Sequence, residues 1–373
     1  MSTSFFQTNN EHITWGEHLP FRSSPLSFFP LVGILAGTST QKAFLGNEAA
    51  FKRIQLTLQR AGGLSFVFTP STYSSEKILG YVYDFQNECW RSYRFPLPSV
   101  VYNRVPLRKM EQTKQFLNLK NFLNTCNIPF FNDCFFHKDE VFTILCSNEN
   151  LLPFLPVTCD LDSIMTFHDM IQQFQSVYLK PCKGKRGKGI VVVKKNDDDS
   201  WDIETIDTKL KIHSDIELIN GWIQPMLDKD YIVQQFVAPL NWNGSRFDYR
   251  VLVHRKNETD FVMSGIGVRQ SGHQQVTTHV PAGGKILSFS QLPFKEDKRT
   301  LNFLASEIGK TLTNQYANIG EFSMDVGKGK NGDLYIFEVN SKPMVFDEDH
   351  IRRKGLKNLI ELFIFFSKQN GEK

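Results

Sequence analysis

The first third of the chain alternates short apolar runs with longer stretches of helical spacing. LVGILAG (31–37) is an apolar run closed by glycine, as suits a buried parallel strand. In NEAAFKRIQLTLQRA (47–61) the apolar positions are 50, 51, 54, 56 and 58, and Gly62-Gly63 follows, which predicts a helix with a glycine stop. LSFVFT (64–69) predicts a second strand and PLPSVVYNR (96–104) a further one. Strand, helix and strand within about 40 residues follow βαβ logic and predict a small open α/β domain. Residues 110–124 read as a helix with Phe116, Leu119 and Leu123 on one face. Residues 1–27 are polar and aromatic without a clear period and predict an irregular arm.

The rest of the chain reads differently. Short strands recur at SVYLKP (176–181), GIVVVKK (189–195), YIVQQFV (231–237), YRVLVHR (249–255), FVMSGIGVR (261–269), GEFSMDV (320–326) and LYIFEVN (334–340). Helical patterns lie between some of them, at 160–175 and 297–316. Together they predict an α+β region with antiparallel sheets. Near the C-terminus, Leu356, Leu359, Ile360 and Phe363 repeat at helical spacing, which predicts an amphipathic helix docked on the protein's own core.

Composition narrows the function. The 373 residues are 41% hydrophobic and 22% charged, as in a globular chain of two or three domains. Lys and Arg number 43 against 39 Asp and Glu, and a net charge of +4 is too small for a dedicated nucleic-acid binder. The apolar stretch Leu26 to Gly37 is about 12 residues and contains Pro30, short of the roughly 20 needed to cross a bilayer. No membrane partner is expected. MSTSFFQTNNEH lacks a basic segment followed by an apolar one, so no signal peptide is expected. Six scattered cysteines form no CxxC pair and read as reduced thiols of a cytoplasmic protein. GILAG lacks the GxGxxG spacing, so Gly33 and Gly37 read as a tight turn and not as a dinucleotide site.

Two segments carry chemistry. In YLKPCKGKRGKGIVVVKK (178–195) a strand ends at Lys180-Pro181, a loop brings Gly184, Gly187 and Gly189 together with Lys183, Lys185, Arg186 and Lys188, and a β-branched strand resumes. Glycines admit an anion close to backbone N–H groups and the cations add charge-assisted contacts, so the loop has the outline of a phosphate clamp. A solvated basic hairpin tip has the same composition. The second segment is SMDVGKGKNGDLYIFEVNSKPM (323–344). Asn331-Gly332 between strands predicts a two-residue type I′ turn, with Lys330 opposite Asp333. That register sets Asp325 opposite Glu338 and Ser323 opposite Asn340, all on one face. Opposed carboxylates repel unless a cation intervenes, and two carboxylates with an amide oxygen suit Mg²⁺, with Mn²⁺ also acceptable. A bulge would shift this register. Arg250 shares a strand face with Asp248, and Arg269 lies on the next strand. Such arginines stabilise charge beside phosphate or form structural pairs with Asp.

The ordered set KPCKGKRGKGI, IVQQFV, FDYRVLV, GIGVRQ, AGGK and MDVGKGKNGDLYIFEVNSKP resembles the ATP-grasp superfamily. PLPSVVYNR, HKDEVFTIL and LLPFLPVT are most similar to its YheC/YheD-type branch of endospore coat-associated proteins. The resemblance implies a fold of α/β plus α+β type, with an arm (1–27), a pre-ATP-grasp α/β domain (28–130) and a two-subdomain ATP-grasp domain (131–373) whose lid-like subdomain covers about 150–235. It implies that Lys138 and Lys180 contact nucleotide phosphates, that Gly184, Lys185, Gly187 and Gly189 form the glycine-rich loop, and that Gln235, Phe236 and Val237 hold adenine through backbone groups. Arg250 and Arg269 match phosphate-side arginines with a catalytic role, and Asp325, Glu338 and Asn340 match magnesium ligands. His279 stands where the family often has Asn, Gln235 where it often has Glu, and Lys185 where it often has Ser. The implied activity is Mg-ATP-dependent ligation of a carboxylate to an amine through an acylphosphate, in a spore-associated setting. The alternative is a nucleotide-binding structural protein that assembles with coat proteins without ligase turnover.

Overall fold

The computed structural model describes residues 29–74, 76–182, 188–272 and 283–369. The chain divides into two compact units, the first running to Cys134 and including the segment from Leu359, the second spanning Phe135–Asn358.

In the first unit β1 (Leu31–Leu35), α1 (Glu48–Arg60) and β2 (Leu64–Phe68) form the expected βαβ unit, with β1 and β2 parallel. The Asn47 side chain caps α1 by accepting from the Ala50 amide, and Phe51, Ile54 and Leu58 are buried. A hairpin follows, β3 (Ile78–Asp84) and β4 (Cys89–Phe95), then β5 (Val100–Asn103), α2 (Arg108–Glu111), α3 (Lys114–Thr125) and β6 (Phe130–Phe131). The sheet order is β4-β3-β2-β1-β5-β6, parallel from β2 to β6.

The second unit opens with α4 (Lys138–Cys146). Its middle sheet takes β7 (Thr158–Asp160), β8 (Ser176–Pro181), β9 (Val191–Lys195), β10 (Trp201–Glu204), β11 (Lys209–Ile212) and β12 (Tyr231–Gln235), all antiparallel, in the order β11-β10-β9-β8-β12-β7. Helix α5 (Ile164–Phe174) and the short α6 (Asp215–Leu218) and α7 (Gln224–Leu227) contribute Phe167, Met170, Leu218 and Met226 to its core. The last sheet takes β13 (Asn241–Trp242), β14 (Ser245–Arg255), β15 (Phe261–Gln270), β16 (Lys285–Ser288), β17 (Glu321–Lys328) and β18 (Leu334–Asn340), in the order β16-β15-β14-β17-β18 with β13 on β14.

Alternation separates the faces of this last sheet. Phe247, Tyr249, Val251, Val268, Met324, Val326 and Ile336 face α8 (Asp297–Gln315) and α4 in one core. Asp248, Arg250, Arg269, Asp325, Glu338 and Asn340 share the opposite face. Helix α9 (Asp349–Gln369) begins in the second unit and ends in the first, where Phe363 and Phe366 pack on Tyr102 and Phe131. That aromatic packing is why the segment from Leu359 departs from the single domain expected over 131–373.

The β17–β18 hairpin reaches the expected pairing by a different route. Of Asn331 and Gly332 only Gly332 has positive φ, +89°, whereas a type I′ turn requires it at both. The Gly329 amide donates to the Asp333 carbonyl and the Gly332 amide to the Gly329 carbonyl, making a three-residue loop. This shifts the ladder by one residue, so Val326 pairs with Ile336. A bulge at Phe337 shifts it back, and Asp325 stands opposite Glu338 and Ser323 opposite Asn340. The bulge is matched by Gly327, where a Cβ would lie 2.1 Å from the Phe337 ring.

Candidate functional site

The charged face of the last sheet is organised by ladder pairings. Arg250 on β14 stands opposite Asp325 on β17, and two parallel bonds join them, Nε to Oδ1 and Nη2 to Oδ2, both 2.8 Å. This fork geometry is the strong form of the contact. The Asp325 carboxylate holds the Arg250 guanidinium above its ordinary range against the opposing effect of burial. One strand further, Glu338 is approached by Lys138 from the first turn of α4, Nζ to Oε1 3.5 Å. Each of the two opposed carboxylates therefore faces a protein cation.

Arg269 is placed differently. It is buried and its guanidinium grips Glu348, Nη1 to Oε1 2.5 Å and Nη2 to Oε2 3.1 Å, with Asp347 at 3.8 Å. Burial pushes the Glu348 carboxyl up, but the Arg269 bonds outweigh it and hold it below the usual range. The pair lies over Gly267, where a Cβ would meet Glu348 Oε1 at 2.6 Å.

The middle sheet supplies the other cation. Lys180, near the end of β8, donates to Gln234 Oε1 at 2.5 Å. Its ammonium lies 4.8 Å from the Tyr178 ring and 5.6 Å from the Phe337 ring. Tyr178 stacks on Phe236, centroids 5.2 Å apart, and its hydroxyl accepts from Arg246, which also binds both Asp248 oxygens at 3.2 Å. Burial, reinforced by the neighbouring Lys138, brings the Lys180 ammonium down to about 7.

An unfolded lysine titrates near 10.5, so between about pH 7 and 10.5 the unfolded chain binds more protons and the Lys180 contribution to stability rises with pH. An incoming polyphosphate favours the charged form. Binding of a polyphosphate at pH 8 is therefore expected to take up about one proton, and none from Lys180 at pH 6. Titration calorimetry in buffers of different ionisation enthalpy measures this, and undiminished uptake in Lys180→Met would show that the proton goes to another group.

At the end of β12 the Gln235 amide donates to the Val157 carbonyl and the Phe236 amide to the Ser176 carbonyl. The Val237 amide has no hydrogen-bond partner among the described residues. Val237 is a buried residue next to the Tyr178–Phe236 stack, and a backbone N–H there without a partner among the described residues is a place for an external acceptor. Gly189, with φ +79°, anchors the re-entry of the basic loop, its carbonyl accepting from the Tyr231 hydroxyl at 3.2 Å. Gly184, Lys185, Gly187 and His279 lie outside the described residues.

The structure thus brings together Lys138, Lys180, Arg250, Asp325, Glu338 and Asn340, and binds Arg269 into a carboxylate pair beside them. Sequence reasoning passed over Tyr178, Gln234, Arg246, Phe337 and Glu348. Tyr178, Gln234 and Phe337 gave a weak signal, because an aromatic or amide residue in an apolar strand looks like core, and Arg246 and Glu348 are ordinary charged residues until their partners are known. Among the described residues no cluster of three or more His, Cys, Asp or Glu could hold a metal. The two carboxylates and one amide do fit Mg²⁺, which commonly takes one or two protein carboxylates and completes its shell with phosphate and water. No helix of the described residues is long and apolar enough to cross a membrane.

Comparisons with known proteins agree with this architecture. The chain is 27% identical over 331 residues to the endospore coat-associated protein YheD of Bacillus subtilis (strain 168), covering 84% of this chain and 72% of that one. It is 21% identical over 295 residues to YheC of the same organism, covering 75% and 81%. Its fold is similar to that of the VanG D-Ala:D-Ser ligase from Enterococcus faecalis, with a TM-score of 0.52, 11% identity and coverage of 91% and 99%. The model of the family described as YheC/D like ATP-grasp matches residues 127–368, which include α4, both sheets of the second unit and every charged residue of the site. With well over half its length inside that match, the chain belongs to the YheC/D-like ATP-grasp family.

Proposed function

We propose that the protein is a Mg-ATP-dependent ligase that joins a carboxylate to an amine. The observation that carries this reading is the facing pair Asp325 and Glu338, each matched by a cation and flanked by Lys180. In this reading the Val237 amide and the backbone of Gln235 and Phe236 receive the adenine edge, with the Tyr178 and Phe337 rings beside it. Lys138 and Lys180 bind phosphate oxygens, and Gly184, Lys185, Gly187 and Gly189 are assigned to the same phosphates. Asp325, Glu338 and Asn340 would hold Mg²⁺, or Mn²⁺ in its place. The cation supplies charge neutralisation on the transferring phosphoryl group.

The substrate carboxylate oxygen attacks the γ-phosphorus, the bond to the β–γ bridging oxygen breaks, and ADP leaves. The amine then attacks the acyl carbon of the acylphosphate. The bond to the phosphate oxygen breaks, phosphate leaves and the amine gives up a proton. Arg250 and Arg269 offset the negative charge that develops. The Bacillus subtilis relatives are named for the endospore coat, and we assign this chain the same setting.

A thermal melt with Mg²⁺, with ATP and with both tests the site. Mg-ATP at 100 times its Kd stabilises by about 2.7 kcal/mol, which is several degrees for a unit of this size. Mg²⁺ alone is expected to shift the melt little, because Arg250 and Lys138 already face the carboxylates. An unchanged Mg-ATP shift in the Asp325→Ala/Glu338→Ala double variant would overturn the assignment. ADP release only when a carboxylate and an amine are both present identifies the ligase, and tight binding with no release under any pairing identifies the structural alternative.

A further inference from the structure

Gln234 is fully buried on β12, opposite Tyr178 on β8 and Thr158 on β7, so its side chain shares a face with both and lies diagonal to Lys180. Three hydrogen bonds form a chain that passes through it. The Thr158 hydroxyl donates to the Pro156 carbonyl at 2.8 Å, Gln234 Nε2 meets Thr158 Oγ1 at 2.7 Å, and Lys180 Nζ meets Gln234 Oε1 at 2.5 Å.

The polarity of this chain is fixed from one end. A carbonyl only accepts, so the single Thr158 proton goes to Pro156. Towards Gln234 the hydroxyl can then only accept, which turns the amide NH₂ to Thr158 and the amide oxygen to Lys180. An amide orientation that is ordinarily ambiguous is set here by a backbone carbonyl two residues before Thr158. Lysine has three donors, and this arrangement uses one and brings no carboxylate into direct contact with it; Glu338 and Asp248 act on the ammonium only from further away.

We propose that Gln234 and Thr158 are positioning residues that fix the Lys180 ammonium for nucleotide phosphate without neutralising it. The inference rests on the nucleotide-binding reading above. A carboxylate at 234 would hold the ammonium equally well by distance, but it would cancel the charge that attracts phosphate and add a negative group close to it. An apolar residue would leave the lysine with the rings of Tyr178 and Phe337 and no fixed acceptor. The role is thus specific to a neutral side chain that accepts at one end and donates at the other.

The test is the ratio of ADP to adenosine affinity, measured by calorimetry on the full chain. Adenosine shares the base and ribose but lacks the groups that Lys180 would meet. Gln234→Glu is expected to cut the ADP preference at least about tenfold and Thr158→Val several-fold, with adenosine affinity held within about twofold. Thr158→Ser keeps the hydroxyl and is expected to retain the wild-type ratio. An unchanged ratio in both Gln234→Glu and Thr158→Val overturns the inference, as does an equal loss of adenosine and ADP, which marks a purely structural network. Should Gln234→Glu fail to fold, the contrast between Thr158→Val and Thr158→Ser decides alone. Wild-type protein that binds neither ligand overturns the nucleotide reading itself, and the inference with it.

Discussion

Glu338→Ala is expected to lower cation-dependent ADP formation by about a thousandfold while leaving the melting temperature nearly unchanged. A magnesium ion on a transferring phosphoryl group contributes several kcal/mol, and each 1.4 kcal/mol is a factor of ten in rate. Glu338 is partly exposed, and its ionic partner among the described residues is Lys138 at 3.5 Å, so the fold loses little with it. Asp325→Ala separates the two effects. It removes the same candidate ligand but also strands Arg250, whose guanidinium makes both of its 2.8 Å bonds to that carboxylate. A cost of about 2 kcal/mol for the stranded charge predicts a fall of on the order of 5 °C in addition to the lost turnover. Glu338→Ala protein that keeps more than a tenth of its cation-dependent ADP formation would show that the carboxylate is no metal ligand. The measurement is ADP release against Mg²⁺ concentration, paired with a melt of each variant.

The largest stability effect is expected away from the site. Asp297, the first residue of α8, is buried and accepts from both the Tyr249 hydroxyl at 2.6 Å and Lys328 Nζ at 2.7 Å. Asp297→Ala leaves a buried ammonium and a buried hydroxyl with their shared acceptor gone. Breaking a buried pair from one side costs about 3–5 kcal/mol, or roughly 6–20 °C for a unit of this size. Replacing both charges with apolar groups, as in Asp297→Leu/Lys328→Met, is expected to recover most of the loss, because no uncompensated charge remains. Calorimetric melts of the single and double variants check this. A loss under about 1 kcal/mol in Asp297→Ala would mean that water reaches the pair.

The contrast between these two carboxylates shows where the sequence was legible. Strand alternation around Asp325, Glu338 and Asn340 was readable because side-chain direction repeats every two residues along each strand. The local route was not. The turn adds a residue on one side and the bulge at Phe337 on the other, and the bulge depends on Gly327 leaving room for a ring. Both faces of the strand Tyr231–Gln235 are covered, so its pattern carries no sign of the directional role open to Gln234. Arg269 also grips Glu348, 79 residues further along, a pairing no local pattern can expose. The β3–β4 hairpin went unread because β4 is largely exposed and polar, with Cys89, Arg91, Ser92 and Arg94 outward. The spacing of Leu359, Ile360 and Phe363 in the closing helix was plain, but spacing alone does not say which core receives them.

That closing helix bears on how the protein is made. The first unit is synthesised first, but the packed rings of Tyr102, Phe131, Phe363 and Phe366 include two that leave the ribosome only after the entire second unit. During translation the nascent N-terminal sheet must wait with Phe131 uncovered, and a chain cut short after Asn358 would leave it so. Biogenesis of the two units is coupled end to end, with the final turns of α9 acting as the closing step of a fold begun at β1.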